Sequence, residues 1–211
     1  MTDSSAWLMY TQMPEAQRKD AMAKLFSRTD GIGVSMVRVP MGASDLVHGP
    51  AYTYDDMPAG KVDPSLAHFS IAHDMGYIIP ALQDALKLNP DLKIVANPWS
   101  PPAWMKTSDL LGSGTLLPQY DSAWAQYFVK FVEAYKAQGV PVWAVTMNNE
   151  PHYEPGSYPG MRIEAADEAT LAKTYLAPAF KAGLSSSDRG FDSPPEPHPL
   201  FICNLLGALI H

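Results

Sequence analysis

Glu150 is the penultimate residue of the stretch Pro141-Val142-Trp143-Ala144-Val145-Thr146-Met147-Asn148-Asn149-Glu150-Pro151. The apolar run from Val142 to Met147 is long enough for a strand buried on both faces. It changes abruptly into two amides, a glutamate and a proline. A buried strand with that ending delivers a carboxylate to the open end of a parallel sheet, where α/β enzymes keep their chemistry. Two other expected strand ends carry comparable groups: Arg38 followed by Asp45, and Asn97 followed by Trp99 and Trp104. The three sets lie roughly 50–60 residues apart, about one βα unit or a little more. Such a set suits cleavage of a glycosidic bond. An acetal oxygen leaves poorly unless protonated, so a carboxylic acid must stand beside it, and a second carboxylate attacks or stabilises the anomeric carbon. Asn149 could hydrogen-bond a sugar hydroxyl, Trp99 offers a stacking face, and Arg38 could orient a carboxylate through charge-assisted hydrogen bonds.

Each residue also has a plainer reading. Glu150 could be a loop or capping carboxylate, although its setting between Asn149 and Pro151 favours function. Asp45 could make a local turn, and Arg38 could bridge acidic groups of neighbouring strands. Trp124 reads as a core residue of a helix and Trp143 as a packing residue. Other chemistries fare worse. His48, His68, His73 and His152 have no metal-ligand spacing, so no metal site is expected. Gly31-x-Gly33 precedes a strand and lacks the third glycine of a dinucleotide loop. No Gly-x-Ser-x-Gly elbow is present.

The elements that must position these groups follow from periodicity. Pro14 to Ser27 reads as a helix with Met22, Leu25 and Phe26 on one face. Ser35 to Val39 is a strand, followed by a long connection over residues 41–65. A helical region then runs to Leu88, its regular part confined to the second half by Gly76 and Pro80. Leu92 to Ala96 is a strand, and residues 100–118 form a second long loop. Asp121 is expected to cap a helix carrying Trp124, Phe128, Phe131, Val132 and Tyr135, closed by Gly139. The strand ending at Glu150 comes next, then a third loop over residues 151–166 and a helix from Asp167 that ends at Gly183. Short turns before strands and long loops after them form the (β/α) barrel pattern, with the long loops on its catalytic face.

The chain's 211 residues suffice for one sizeable core. Hydrophobic residues at 46% and charged ones at 18% mark a globular protein, and a net charge of −7 argues against a nucleic-acid partner. Cys203 is the single cysteine, so no internal disulfide is available. Met1 to Ser5 lacks the basic start and apolar core of a signal peptide. No apolar run reaches the ~18 residues that span a bilayer.

On these segments the chain resembles glycoside hydrolase family 30, the glucosylceramidase-type retaining β-glycosidases. The matching stretches are Val37 to Asp45, Tyr52 to Asp56, Asn97 to Thr107, Tyr127 to Phe131 and Trp143 to Pro151. The resemblance implies an α/β fold, a partial (β/α)8 TIM barrel of about strands 2–4 with flanking helices over residues 1–184. It implies that Glu150 is the general acid/base, that Asn149 contacts the sugar hydroxyl beside the anomeric centre, and that Arg38, Asp45, Trp99 and Tyr158 line the sugar subsite. The implied reaction is hydrolysis of a β-glucoside, glucosylceramide or β-glucan by double displacement without cofactor, in proteins that are secreted or lysosomal. The family's nucleophilic glutamate, on a later strand, has no counterpart: Glu133, Glu154, Glu164, Glu168 and Glu196 do not end strands. Residues 185–211, Pro-rich and then apolar, show no further strand–helix repeat, and a truncated or frame-shifted reading frame is expected to explain them. The chain alone is therefore expected to be inactive or nearly so, or else to be a non-catalytic sugar-binding fragment. Oligomeric state is left open, with unpaired sheet edges favouring association.

Overall fold

A computed structural model describes residues 1–187 and 200–202. Its centre is a parallel sheet in the order β1 (Met36–Met41), β2 (Lys93–Pro98), β3 (Ala144–Thr146), β4 (Leu200–Ile202). Helix α3 (Ile78–Leu88) connects β1 to β2, and α4 (Asp121–Ala137) connects β2 to β3. Before β1 come α1 (Asp3–Trp7), prolonged by a π-helical turn over Leu8–Gln12, and α2 (Glu15–Phe26). After β3 come α5 (Ala165–Thr170), a π-helical turn over Leu171–Leu176 and α6 (Ala177–Ser187).

Register explains how the sheet separates core from site. Val37 is opposite Ile94, and Val39 is opposite Ala96, which is opposite Val145. These residues join the hydrophobic core with Ile79 and Leu82 of α3 and Phe128, Phe131 and Tyr135 of α4. Side chains alternate along a strand, so Arg38, Asn97 and Thr146 share the opposite face. One face of the sheet is thus packed on helices, and the other carries the polar groups.

Several expectations are refined by packing. Trp124, Phe128, Phe131, Val132 and Tyr135 are all buried, as the spacing of α4 predicts. That helix ends in a double closure, with Gly139 N–H on Lys136 O and Val140 N–H on Tyr135 O. Asp121, by contrast, is the first residue of α4 rather than its cap, and Tyr120 at the cap position makes no side-chain cap bond. Leu25 of α2 is 39% exposed, so Met22 and Phe26 alone form its buried face. Gly183 does not end the last helix. It sits inside α6, where a Cβ would lie 2.5 Å from Val129 Cγ1 of α4, so its role is close helix approach. The sequence marks no strand beyond Ser185, whereas Leu200–Ile202 pairs with β3. Glu196 and Cys203 lie outside the described residues.

Helix α1 is the element that periodicity misses, because it is too short to show a repeat. Its signal is a capping box: Thr2 Oγ1 accepts from Ser5 N–H while Ser5 Oγ accepts from Thr2 N–H. Asp3, fully buried, accepts from His48 N–H at 2.6 Å and from the Tyr77 hydroxyl at 2.8 Å, and Ser4 N–H donates to Leu46 O. The start of the long loop after β1, which includes Asp45, is therefore anchored to α1. Its later part is anchored by Asp74, also fully buried, which accepts hydroxyls from Tyr52, Tyr54 and Tyr135 at 3.0, 2.6 and 2.5 Å. Burial and the adjacent carboxylate push all three phenols well up, so they stay protonated donors.

Asp55, in the same loop, is 1% exposed, and neither carboxylate oxygen has a hydrogen-bond partner among the described residues. Burial first, and then the Asp63 carboxylate, push its pKa up to about 6, with His68 opposing. An unfolded aspartate titrates near ~3.9. The folded chain therefore binds the extra proton between these values, and the cost of burying the charge is absent at low pH and complete above about 6. Asp55→Asn is expected to raise stability at pH 7 by about 1–2 kcal/mol and to remove that part of the decline between pH 4 and 6, measured by urea unfolding at each pH. An unchanged pH profile in the variant contradicts the assignment.

Candidate active site

The site starts from Arg38, on the helix-free face of β1. Its Nη2 donates to Asn97 Oδ1 on β2 and, at 2.7 Å, to Asn149 Oδ1 just past β3. A guanidinium has only donors, so both amides must turn their oxygens toward it. Asn97 is then left with its Nδ2 facing Thr146 Oγ1 on β3, to which it donates. Asn97 is 1% exposed and Thr146 8%. One cation on β1 thus orders polar groups at the ends of β2 and β3.

Trp99, just beyond β2, lies under the same guanidinium, with Arg38 Cζ 4.6 Å from the ring centroid, a cation–π contact. The ring is 7% exposed, so Arg38 occupies part of the face that sequence reading offered to a sugar. Its indole N–H is buried and has no acceptor among the described residues. Burial pulls the Arg38 pKa down, while the carboxylates of Asp45 and Glu150 act in the opposite sense. Both acids therefore lie within electrostatic reach of Arg38.

Glu150 is exposed, and its backbone has φ of +43°. A side chain in this left-handed region costs about 1–2 kcal/mol, and the following Pro151 restricts the residue further. The neighbours hold it there. Asn149 N–H donates to Pro98 O at the end of β2, Tyr153 N–H donates to Glu150 O, and Ile163 N–H donates to Pro151 O, each at 2.8 Å. Asn148, fully buried, donates from Nδ2 to Met161 O at 2.9 Å. Strain that is fixed from both sides is common where a side chain must be aimed.

Tyr158, in the loop after β3, is half-buried with its ring centroid 6.3 Å from that of Tyr153. Burial, then Tyr153 and the carboxylates of Glu150 and Asp45, push its phenol pKa up. Arg38, Asp45, Trp99, Asn149, Glu150 and Tyr158 thus converge through contact or electrostatic proximity. Thr146 and Asn148 were not singled out from sequence; a threonine and an asparagine at the end of an otherwise apolar strand were the available signal.

The candidate glutamates among the described residues stand elsewhere. Glu133 belongs to α4 and Glu168 to α5. Glu154 accepts from Gly114 N–H, and Glu164 pairs with Arg162 at 2.7 Å. A separate cavity of about 300 Å³, lined by Thr107, Asp121, Arg162, Glu164 and Asp167 among others, includes none of the converging residues. Among the described residues, no group of three His, Cys, Asp or Glu side chains could hold a metal ion, and no helix is long and apolar enough to cross a membrane.

Known proteins resemble this chain in sequence and fold. The family described as the glycosyl hydrolase family 30 TIM-barrel domain matches residues 1–191. An endo-1,6-beta-D-glucanase, neg1, of Aspergillus fumigatus is 38% identical over 191 residues, covering 82% of this chain and 38% of the glucanase. The lysosomal acid glucosylceramidase of Mus musculus is 36% identical over 158 residues, covering 72% and 30%. Among solved structures, the endo-beta1,6-glucanase BT3312 superposes with a TM-score of 0.79 at 32% identity, covering 86% of this chain and 40% of that one. The chain spans about two fifths of the length of the first of these relatives.

The strain at Glu150 has a measurable consequence. Asparagine tolerates the left-handed region better than glutamate, so Glu150→Asn is expected to stabilise the chain by about 1 kcal/mol relative to Glu150→Gln, which keeps the strain. Urea midpoints that are equal for the two variants contradict this.

Proposed function

The chain belongs to the glycosyl hydrolase family 30 TIM-barrel domains, and from that premise we propose that it carries the acid/base half of a retaining β-glucoside hydrolase site. In this reading the Glu150 carboxyl protonates the departing glycosidic oxygen while a second carboxylate forms a covalent glycosyl intermediate. Glu150 then removes a proton from the water that releases the sugar. Asn149, oriented by Arg38, presents its Nδ2 to the hydroxyl next to the anomeric carbon. Asp45 and Tyr158 bind further hydroxyls, and Trp99 forms the apolar wall of the subsite. The substrate is a β-linked glucoside such as a β-glucan or glucosylceramide, and no cofactor takes part.

The observation that carries this reading is the Arg38 junction, which orders Asn97, Asn149 and Trp99 around the strand end where Glu150 stands. Double displacement also needs a carboxylate ~5–5.5 Å from the acid. Glu133, Glu154, Glu164 and Glu168 belong to helices or to other pairings. We therefore propose that the isolated chain binds a β-glucoside weakly and turns it over little or not at all.

Two measurements on the purified chain test this. Calorimetry with a glucose-configured iminosugar, a cation suited to a carboxylate-lined subsite, is expected to show saturable binding that is lost in Trp99→Ala and reduced at least tenfold in Glu150→Gln. Turnover of an aryl β-glucoside is expected to stay near background. Robust turnover that Glu150→Gln abolishes contradicts the claim of inactivity, and no binding contradicts the sugar-site reading.

A further inference from the structure

Lys106 is buried to 2% exposure although it lies in the long loop after β2. Among the described residues, no carboxylate pairs with it at hydrogen-bond distance. Its Nζ instead donates to Ser100 Oγ at 3.0 Å, to Leu111 O at 2.7 Å and to Gly160 O at 2.7 Å. Ser100 Oγ itself donates to Pro101 O, so it can only accept from the lysine, and the two carbonyls have no proton to give. Three acceptors require three N–H donors, which an ammonium has and a neutral amine lacks. A buried charge held by neutral oxygens is an expensive arrangement, and the three oxygens come from three different parts of the chain.

Ser100 is next to Trp99 at the root of the loop after β2. Leu111 lies near that loop's tip. Gly160 belongs to the loop after β3, two residues beyond Tyr158. The tip and the second loop are joined again around this point. Gly160 N–H donates to Leu111 O at 3.0 Å, Arg162 N–H to Gly114 O at 2.9 Å, and Ser113 Oγ to Pro155 O at 3.3 Å. At Gly160 a Cβ would lie 2.4 Å from the Pro155 ring, so only glycine lets its carbonyl reach the ammonium with this loop path. Met161, the next residue, receives Asn148 Nδ2, and Ile163 holds Pro151 beside Glu150.

We propose that Lys106 is a positioning residue, an ammonium clamp that pins the loop after β3 to the loop after β2 and so sets Tyr158 and the Glu150 backbone relative to Trp99. The clamp stands on these contacts; its consequence for a ligand rests on the sugar-site reading given above. Burial pulls the Lys106 pKa down to about 7, with Glu154 opposing. Deprotonation removes one of the three donors, so the clamp is firm below that pH and loosens above it.

Amide hydrogen exchange on the full chain tests the proposal with Lys106→Met, which keeps the side chain's length without its charge. With helical circular dichroism retained, protection at Gly160, Arg162 and Ile163 is expected to fall at least tenfold relative to Ile94, Val95 and Ala96, and iminosugar affinity to fall with it. A folded variant with wild-type protection in the second loop overturns the clamp. If Lys106→Met does not fold, Lys106 is titrated in a His152→Gln background, since His152 lies 3.7 Å from Glu164 in the same loop. Glu154, Glu164 and Arg162 also face this region, and the hydrogen bond that Arg162 donates to Glu164 holds the Arg162 pKa up. Protection corrected for intrinsic rates is expected to fall tenfold in the loop between pH 6 and 9 while the β2 amides hold. A flat loop profile overturns the proposal. If the wild-type chain binds no iminosugar but the loop responds, the sugar-site reading fails and the clamp stands.

Discussion

The contact between Arg38 Nη2 and two amide oxygens, one beyond β3 and one on β2, is the constraint from which the site is built. A guanidinium can only donate, so its presence fixes the orientation of Asn97 and Asn149 and, through Asn97, of Thr146. Its flat face rests on Trp99, and its charge offsets the two carboxylates of Asp45 and Glu150. An alanine or lysine there would leave the two amide oxygens, that of Asn97 buried, without that geometry. The sheet makes the junction attainable: parallel register brings Arg38 opposite Val95, two pairs before Asn97 and so on the same face, with all three strands ending on the same side.

Around this junction the scaffold spends its polar groups on holding loops. Asp3 and Asp74, both fully buried, accept hydrogen bonds from backbone and tyrosine hydroxyls of the loop after β1. Lys106 instead donates, to Leu111 O in the loop after β2 and to Gly160 O in the loop after β3. A long loop costs conformational entropy to order, and a single buried ion with several partners orders many residues at once. The strained backbone at Glu150 persists because the hydrogen bonds on either side of it outweigh that strain.

Much of this could be read from the residues. The run Val142 to Pro151, the alternation of helix and strand, and the apolar face of α4 all follow local periodicity, and they located the sheet and the end of it that carries the polar groups. Arg38, Asn97 and Trp99 could be named because polar or aromatic residues ending apolar strands are hard to explain as core. What could not be read depends on tertiary context. Asp121 looks like a cap in sequence, but the turn before it begins the helix one residue earlier. Gly183 looks like a stop, yet it answers to Val129 on another helix. Lys106 gives no local hint of burial, since its three acceptors lie 5 to 54 residues away. Helix α1 needed its capping box to be noticed, and β4 follows a proline-rich stretch that argued against any strand.

The account depends most on Arg38 and Asn149 acting as a coupled pair across the strand ends. A double-mutant cycle on stability with Arg38→Met, Asn149→Ala and the double variant measures that coupling directly, by urea unfolding of the full chain. A charge-assisted hydrogen bond of this kind is expected to give a coupling of about 1–2 kcal/mol, so that the double variant loses less than the sum of the single ones. Strictly additive losses would mean that the two side chains are neighbours without a shared interaction, and the junction would not be the organiser of the site.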